Sequence, residues 1–372
     1  ADLHKKSAMV RGNDKQFADT NLPVPARIRG AWEGRISGCL LGKPVEVLSF
    51  KEGRDGVESY LRQAGALPLR DYVPLLEGTL VDELGRHCCR GHISRAEPDD
   101  DINYTVLALL LLEDKGAALS TEDVARAWLR LLPAGTTWTA ERRAYRVLLD
   151  NMADEFVNGD APGFDLALCS ENEYNEWIGG QIRADLYGWV CPGQPALAAD
   201  LASRDAALSH RGEGLYGAAF IAALAAAIPV SDDLVDATNI ALRFSPRDSG
   251  AATAVRFGRG LARSGDAVDR LHAEYEGLSP VHTLNNLALV VWALCSSGDD
   301  FSAAIGNAVS AGWDTDCNGA TVGGLFGLTG KPIPESWTRP WQGRVGVSLA
   351  GCSELPLEDL VDRTVAVART LQ

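Results

Sequence analysis

The stretch from residue 30 to residue 46 reads GAWEGRISGCLLGKPVE and contains a regular series of glycines. The four glycines of this series are Gly30, Gly34, Gly38 and Gly42. Residues four apart lie on nearly the same face of a helix, so these glycines form one smooth stripe. Because each glycine inside a helix costs about 1 kcal/mol relative to alanine, the stripe needs a compensating contact. We expect close backbone packing against neighbouring helices at the centre of the molecule.

The end of this helix is set by a proline. Pro44 disfavours the α conformation at Lys43, so the helix is predicted to end there. Glu46 follows at once. The sequence therefore predicts a carboxylate that is held still just beyond a rigid, densely packed helix end.

Elsewhere the pattern of apolar residues is overwhelmingly helical. A helix is predicted to start at Thr121 behind a Ser or Thr cap and to stop at Pro133. Further helices are predicted over the apolar or alanine-rich segments 196–208, 215–227, 285–294 and 355–371. Residues 344–348 are predicted to form a short strand. We predict an all-α globule of many helices, with a polar N-terminal tail over residues 1–26 and a single domain over residues 27–372.

The composition limits the classes of partner. The 372 residues carry a net charge of −15, which argues against nucleic acid, because a phosphate backbone demands basic surface. No apolar run is expected to approach the roughly 18 residues of a membrane span, the longest candidate being residues 106–112. Without an apolar segment behind the basic N-terminal residues, we expect a cytoplasmic location.

Three consecutive aspartates, Asp99 to Asp101, precede an apolar helical segment. One interpretation is an acidic helix start, with Asp99 as the cap and the other two at the positive end of the helix dipole. The segment that follows is so apolar that the acids are expected to enter the protein. Buried like charges need a cation, and hard oxygen ligands favour magnesium or calcium, with manganese as an alternative.

A second acidic group lies in the segment 312–321, which reads GWDTDCNGAT. Asp314 and Asp316 are two residues apart, a spacing that can direct both carboxylates at one centre. Small residues follow as far as Gly327, so the helix behind them can pack tightly. A turn with side-chain hydrogen bonds is an alternative, whereas the later glutamate of an EF-hand is missing. With Glu46, the two groups supply about as many oxygen ligands as a two-metal site needs.

Three motifs in this order resemble the ADP-ribosylglycohydrolase family, which includes the dinitrogenase-reductase-activating glycohydrolases. They are residues 34–46 (GRISGCLLGKPVE), 98–105 (PDDDINYT) and 312–323 (GWDTDCNGATVG). Shorter similarities occur at 179–183, 192–195 and 209–210, so the resemblance spans residues 28–330.

The resemblance implies an all-α fold around a central pair of magnesium ions, with manganese as an alternative. The ligands implied by matching position are Asp99, Asp100, Asp101, Asp314 and Asp316. Cys317 stands where the family often has a threonine ligand, and is a further candidate. The resemblance also implies catalytic roles for Glu46, Asp100 and Asp316, with Glu46 positioning a water or protonating the leaving group.

The implied substrate is an ADP-ribose linked through C1″, whose ribose hydroxyls are held by the metals. The bond can be N- or O-linked, on a protein side chain or a small molecule. Its cleavage builds oxocarbenium character at C1″. The residues implied to line the substrate cleft are Gly179, Arg183, His210, Gly214, Tyr216 and Asn318.

Two other functions stay open. The first is a ribosyl N-glycosidase for a nucleoside or nucleotide-like metabolite, because the chain lacks the usual Asn before Gly179 and carries Trp177 and Trp189. A basic subsite for diphosphate would separate the two, with Arg183, Arg204 and Arg211 as its candidates. The second is a non-catalytic ADP-ribose-binding or metal-binding protein, which would have no physical reason to keep so many repelling acids. The sequence does not decide between a monomer and a dimer.

Overall fold

The computed structural model describes residues 24–372 except 152, 153, 155 and 157. The prediction of a polar tail over residues 1–26 falls almost entirely outside these residues. Within them the chain is mostly helical, which confirms the predicted all-α class. Val24, the first described residue, already lies in a helix.

The helices of the first half are α1 Val24–Gly42, α2 Glu46–Gln63, α3 Leu80–Gly85, α4 Asp100–Lys115, α5 Thr121–Leu131, α6 Thr139–Asp150, α7 Gly179–Ile182 and α8 Asp185–Trp189. Those of the second half are α9 Pro195–Ala206, α10 Glu213–Ala227, α11 Leu234–Ala241, α12 Gly250–Gly260, α13 Ala267–Glu274, α14 Thr283–Ser296, α15 Phe301–Ser310, α16 Thr315–Leu328, α17 Glu335–Thr338 and α18 Leu357–Thr370. Strand β1 (Arg344–Leu349) pairs antiparallel with β2 (Cys352–Pro356), so the predicted strand is confirmed.

The centre of the molecule is the contact between α1 and α16. The glycine stripe of α1 faces a second stripe on α16, and the two backbones meet directly. The facing pairs are Gly30 with Gly327, Gly34 with Gly323, Gly38 with Gly319, and Gly42 with Thr315. A Cβ added at the first three α1 positions would overlap the carbonyl oxygen of the facing glycine. The predicted close backbone contact is therefore confirmed.

The same contact also positions the carboxylates at the point where α1 ends and α16 begins. Residues 43–45 form one 3₁₀ turn after α1, and α2 begins at Glu46, as the proline predicts. Thr315, the first residue of α16, donates its hydroxyl to the carbonyl oxygen of Gly42 at 2.7 Å. The start of α16 is thereby tied to the end of α1, and Glu46 lies close to Asp314 and Asp316.

Local sequence signals account for several helix ends. Ser120 and Asp123 form a reciprocal capping box at the start of α5. Asp233 caps α11 and Ser249 caps α12 through their side chains. The helix predicted over 355–371 begins two residues later, because its first residues pair with β1.

One helix corrects the expectation that no apolar run is long enough to cross a membrane. The window Glu213–Val230, built on α10, has 18 residues with a mean hydropathy of 1.6. In the structure 78% of this window is buried within the protein. Helix α8 packs closely against this window, because a Cβ added at Gly188 of α8 would overlap the Cβ of Ala225 of α10. The helix has the composition of a span because it is enclosed by other helices.

Replacing Gly38 by alanine tests the glycine contact. The added Cβ would force α1 and α16 apart, and overpacking of this kind costs about 1–3 kcal/mol or more. We expect a clear loss of free energy of unfolding, measured by urea denaturation. Gly260→Ala is the matched control, because this helical glycine has open space at the Cβ position and alanine should be neutral or stabilising. Equal stability of the two variants would contradict the account.

Candidate metal centre

Three helix starts converge at one point. Asp99 to Asp101 lie at the start of α4, Asp314 and Asp316 at the start of α16, and Glu46 at the start of α2. The side chains of Asp99, Asp101, Asp314 and Asp316 are buried, while Glu46 and Asp100 are half-buried. Glu46 and Asp100 are thus the acids of the cluster that keep some exposure to solvent. The side that they mark is called the open side of the cluster.

The carboxylate oxygens form two overlapping sets. In one set, Asp99, Asp100, Asp101 and Asp316 each offer an oxygen, all within 4.8 Å of one another. In the other set, Glu46, Asp314 and Asp316 do the same. Asp316 belongs to both sets, so the structure brings together all five predicted aspartates and the predicted glutamate around it.

Helix capping explains one of these acids and fails for two others. Asp99 accepts a hydrogen bond from the backbone N–H of Asp101 at 2.9 Å, as a cap does. Asp101 Oδ2 and Asp314 Oδ1, in contrast, are buried and have no hydrogen-bond partner among the described residues. Leaving a buried charged oxygen without a partner is costly, so these two atoms call for a cation.

The electrostatics of the cluster lead to the same conclusion. Burial, reinforced by neighbouring carboxylates, raises the pKa of Glu46, Asp100, Asp101 and Asp314 well above the usual range. Burial and the Asp99 charge raise the pKa of Asp316 to about 6. These groups repel one another when ionised, and a divalent cation would relieve that repulsion by replacing protons.

Asp99 behaves differently because Lys43 faces it. Burial alone would raise its pKa, but the Lys43 ammonium and several hydrogen bonds outweigh this effect and hold the pKa below the usual range. Arg35 supports the other end of the triplet, donating from Nε to the backbone oxygen of Asp101 at 2.9 Å and from Nη2 to its Oδ1 at 3.4 Å. Arg35 comes from α1 and Lys43 from the 3₁₀ turn that follows it, and the sequence analysis assigned neither a role.

The donor set fits a hard divalent cation. Carboxylate oxygens are the ligands that magnesium and manganese prefer. The thiol of Cys317 lies within 4.8 Å of oxygens of Asp101 and Asp316, and the thiol of Cys39 lies equally close to Asp99 and Asp101. Burial raises the pKa of both thiols, which keeps them protonated and makes them poor ligands beside the carboxylates.

The loop that carries Asp314 is held from several sides. Gly312 and Trp313 both have positive φ, of 85° and 58°, and the latter is strained for a residue with a side chain. The His272 ring stacks on Trp313 at a centroid distance of 4.2 Å, and its Nε2 bonds the carbonyl oxygen of Ala311. Ser49 donates to the carbonyl oxygen of Trp313 at 2.7 Å. The sequence offered no signal for His272 or Ser49, because both come from distant helices.

Asn318, predicted to line the substrate cleft, lies on α16 two residues beyond Asp316, and its contact with a substrate stays a prediction. Its amide nitrogen donates to Asn286 Oδ1 at 2.8 Å, and the same oxygen accepts the backbone N–H of Asp314 at 3.3 Å. Asn318 Oδ1 is buried without a hydrogen-bond partner in the part of the chain that the structure describes. Asn286 therefore links Asn318 to the acidic loop, a role that sequence analysis missed.

Two predicted substrate contacts are engaged elsewhere. Arg183 is buried, and its guanidinium donates to Glu141 Oε1 and to Asp205 Oδ1, both at 2.8 Å. His210 is also buried, accepting the N–H of Gly180 at Nε2 and contacting Ser209 Oγ through Nδ1. Both side chains are thus engaged by the protein's own groups in and around the 179–183 segment, and their contact with a substrate stays a prediction.

Three further residues are predicted to line the cleft. Gly179 leaves room for the Glu141 carboxylate, and Gly214 leaves room for the carbonyl oxygen of Asn175. Tyr216 is half-buried on α10. Direct contact of these three residues with a substrate stays a prediction.

The candidates for a diphosphate subsite are also occupied by the protein's own groups. Arg204 donates to the backbone oxygens of Ala117 and Leu119 and pairs with Asp200. Arg211 donates to Ser170 and to the carbonyl oxygen of Ala167. Because Arg183 is also buried, all three arginines are engaged by the protein's own groups within the described structure. None of them is therefore positioned to bind a diphosphate.

The two tryptophans that set this sequence apart differ in place. Trp189 is buried in edge contact with Trp32, at a centroid distance of 5.2 Å, and is a core residue. Trp177 is half-buried against Tyr174 at 4.5 Å, and its backbone bridges to His282.

Known proteins are similar to this chain in sequence pattern and in fold. A family model described as ADP-ribosylglycohydrolase matches residues 20–370. Among solved structures, an "ADP-ribosylglycohydrolase-related protein complex" matches with a TM-score of 0.56 at 20% identity, covering 94% of this chain and 99% of the other. A search of curated protein sequences found no match. The structural likeness concerns the fold.

Magnesium should stabilise the protein, and more strongly at higher pH. A carboxyl group whose pKa is raised by folding favours the folded state at low pH, and this contribution is lost as pH rises through the folded pKa, about 6 for Asp316. Mg²⁺ competes with these protons for the carboxylates. The rise in the protein's melting temperature that Mg²⁺ produces should therefore be larger at about pH 8 than at about pH 5. The lowered pKa of Asp99 affects the pH dependence of the free energy of unfolding only below roughly pH 4.

Thermal unfolding with and without Mg²⁺ at both pH values measures this difference. Asp314→Asn removes a charge from the cluster and should reduce the magnesium-induced rise in melting temperature. Asp359→Asn, on the exposed side of α18, is the control. A magnesium effect that is absent, or equal at both pH values, would contradict the assignment.

Proposed function

The chain belongs to the ADP-ribosylglycohydrolase family, and we propose that it hydrolyses an N- or O-glycosidic bond at C1″ of an ADP-ribosyl group with the help of two magnesium ions. Manganese is the alternative metal. The observation that carries this proposal is the pair of overlapping oxygen sets that share Asp316 and contain buried oxygens without partners. The acceptor that carries the ribosyl group is a protein side chain or a small molecule.

The residues of the two sets define what would hold the cations. Asp99, Asp100 and Asp101 would hold one ion and Asp314 the other, with Asp316 within reach of both positions and Glu46 beside the second. When bound, the two ions supply Lewis-acid attraction for the ribose hydroxyls and orient the sugar at the open side of the cluster. The six carboxylates also surround the sugar with negative charge, which favours the positive charge that develops at C1″.

Glu46 is the residue best placed to move a proton. It is half-buried on the open side, and the adjoining helix end holds it in place. Burial and the charges of Asp316 and Asp99 raise its pKa, so the carboxyl group can carry a proton closer to neutral pH than an ordinary glutamate. We propose that Glu46 protonates the leaving group or, when ionised, takes a proton from the attacking water.

A second candidate function has its own support. An ADP-ribosyl substrate carries a diphosphate, and the three arginines predicted to bind it are paired with other groups. This favours a smaller riboside, so a ribosyl N-glycosidase of a nucleoside or nucleotide-like metabolite is the alternative. Trp177, half-buried against Tyr174, offers an aromatic surface that suits a planar leaving group.

Replacing Glu46 by glutamine separates its chemical role from metal binding. Glutamine keeps the size of the side chain but cannot transfer the proton, so turnover should fall about 10²–10⁴-fold. The magnesium-induced rise in melting temperature should persist, because the aspartates remain. Glu52→Gln, an exposed position on the same helix, is the matched control and should keep full activity. Full activity of Glu46→Gln with metal bound would exclude the proposed role.

Calorimetric titration distinguishes the two candidate substrates. ADP-ribose should bind to the magnesium-loaded protein and not to the metal-free protein, because the cations hold the ribose hydroxyls. Adenosine and ribose 5-phosphate serve as smaller ligands in the same experiment. Binding of these compounds without binding of ADP-ribose, with metal content confirmed, would reject the ADP-ribosyl proposal in favour of the N-glycosidase.

A further inference from the structure

A second ordered face lies beside the glycine stripe and continues from α1 into the 3₁₀ turn that follows it. Arg35, Cys39 and Lys43 are spaced four residues apart, and all three side chains point toward the aspartate triplet at the start of α4. Arg35 contacts Asp101 and Lys43 contacts Asp99, with the Cys39 thiol between them. The two ends of the triplet are therefore each met by a positive charge, one from α1 and one from the turn directly after it.

The two cations differ in how firmly they are held. The side chain of Arg35 is fully buried, and it also donates to the carbonyl oxygen of Ile182 at 2.6 Å and pairs with Asp185 Oδ2 at 3.1 Å. Among the described residues Lys43 forms an ion pair with Asp99 alone, and 27% of its side chain remains exposed. A lysine carries its charge on a flexible stem, so the ammonium can leave Asp99 without disturbing the core.

Asp99 is consequently in a different state from its neighbours. Its Oδ1 accepts the N–H of Asp101, and its Oδ2 accepts from the Lys43 ammonium. Asp101 Oδ2 and Asp314 Oδ1, by comparison, have no hydrogen-bond partner among the described residues. A cation that approaches the cluster thus finds unpartnered oxygens at Asp101 and Asp314, and a competing ammonium at Asp99.

We propose that the Lys43 ammonium is a built-in counter-ion of the carboxylate cluster that competes with a divalent cation for Asp99 Oδ2. This inference rests on the metal dependence of the proposed function. It has two consequences. Without metal, Lys43 stabilises the folded protein by offsetting part of the buried negative charge. With metal, the position formed by Asp99, Asp100, Asp101 and Asp316 binds its cation more weakly than the position formed by Glu46, Asp314 and Asp316.

The test compares wild type with Lys43→Met and Lys43→Arg in the full chain, using Mn²⁺ as the probe. Free Mn²⁺ is counted by electron paramagnetic resonance during titration, and melting temperatures are measured without metal. Lys43→Met should lower the metal-free melting temperature, and should tighten the weaker Mn²⁺-binding step about tenfold or more by removing a nearby positive charge. Lys43→Arg retains the charge and should keep two unequal steps. Lys51→Met, an exposed lysine on α2, is the charge-matched control and should resemble wild type.

The outcomes separate this inference from the proposed function. If Mn²⁺ binds wild type and Lys43→Met with the same affinities, the counter-ion role is rejected while the metal centre stands. If neither protein binds Mn²⁺, the metal-dependent function is rejected, and the inference with it. If Lys43→Met does not fold, the Lys43→Arg titration still decides, because equal affinities for its two steps would contradict competition by a retained charge.

Discussion

The backbone contact between α1 and α16 is the constraint on which the rest of the molecule depends. Glycines face glycines along three successive turns, so neither helix can move away without opening a gap at the centre. At the end of this contact, the Thr315 hydroxyl joins α16 to Gly42. Asp314 and Asp316 at the start of α16, and Glu46 at the start of α2, meet at this junction, which holds their carboxylates together. The free-energy cost of placing glycines inside a helix is thus offset by the packing that positions the site.

The carboxylate cluster is the second constraint, and it works against stability. A helix N-terminus favours a nearby carboxylate by about 0.3–1 kcal/mol, whereas removing one such charge from water costs several kcal/mol. The helix starts of α2, α4 and α16 are therefore too weak to account for six acids at one point. Arg35 and Lys43 offset part of the charge on the Asp99 side. Asp101 Oδ2 and Asp314 Oδ1, unpartnered among the described residues, are the atoms that a bound cation would satisfy.

The sequence predicted those features that depend on local pattern. The period-four glycines, the proline after α1, the acid triplet and the Asp-Thr-Asp element each carry their meaning within a few residues. From them the all-α class, the α1 packing and the convergence of six carboxylates could be derived.

Features that depend on distant partners could not be derived in this way. Arg183 and His210 occur in a motif, but their burial is decided by Glu141, Asp205 and Ser209. The roles of Arg35 and Lys43 depend on how α1 and the turn after it lie against α4, which no spacing in the sequence expresses. The window Glu213–Val230 has the length and apolar composition of a membrane span, which the sequence analysis missed, and its burial depends on the helices around it.

The central claim is that the six carboxylates form a site for two divalent cations that share Asp316. The most direct test is anomalous X-ray diffraction from crystals of the full chain grown with Mn²⁺. The account predicts two manganese peaks roughly 3.5–4 Å apart, with Asp316 between them. A crystal with Mn²⁺ in the solution and no peak at these carboxylates, or with both peaks elsewhere, would contradict it.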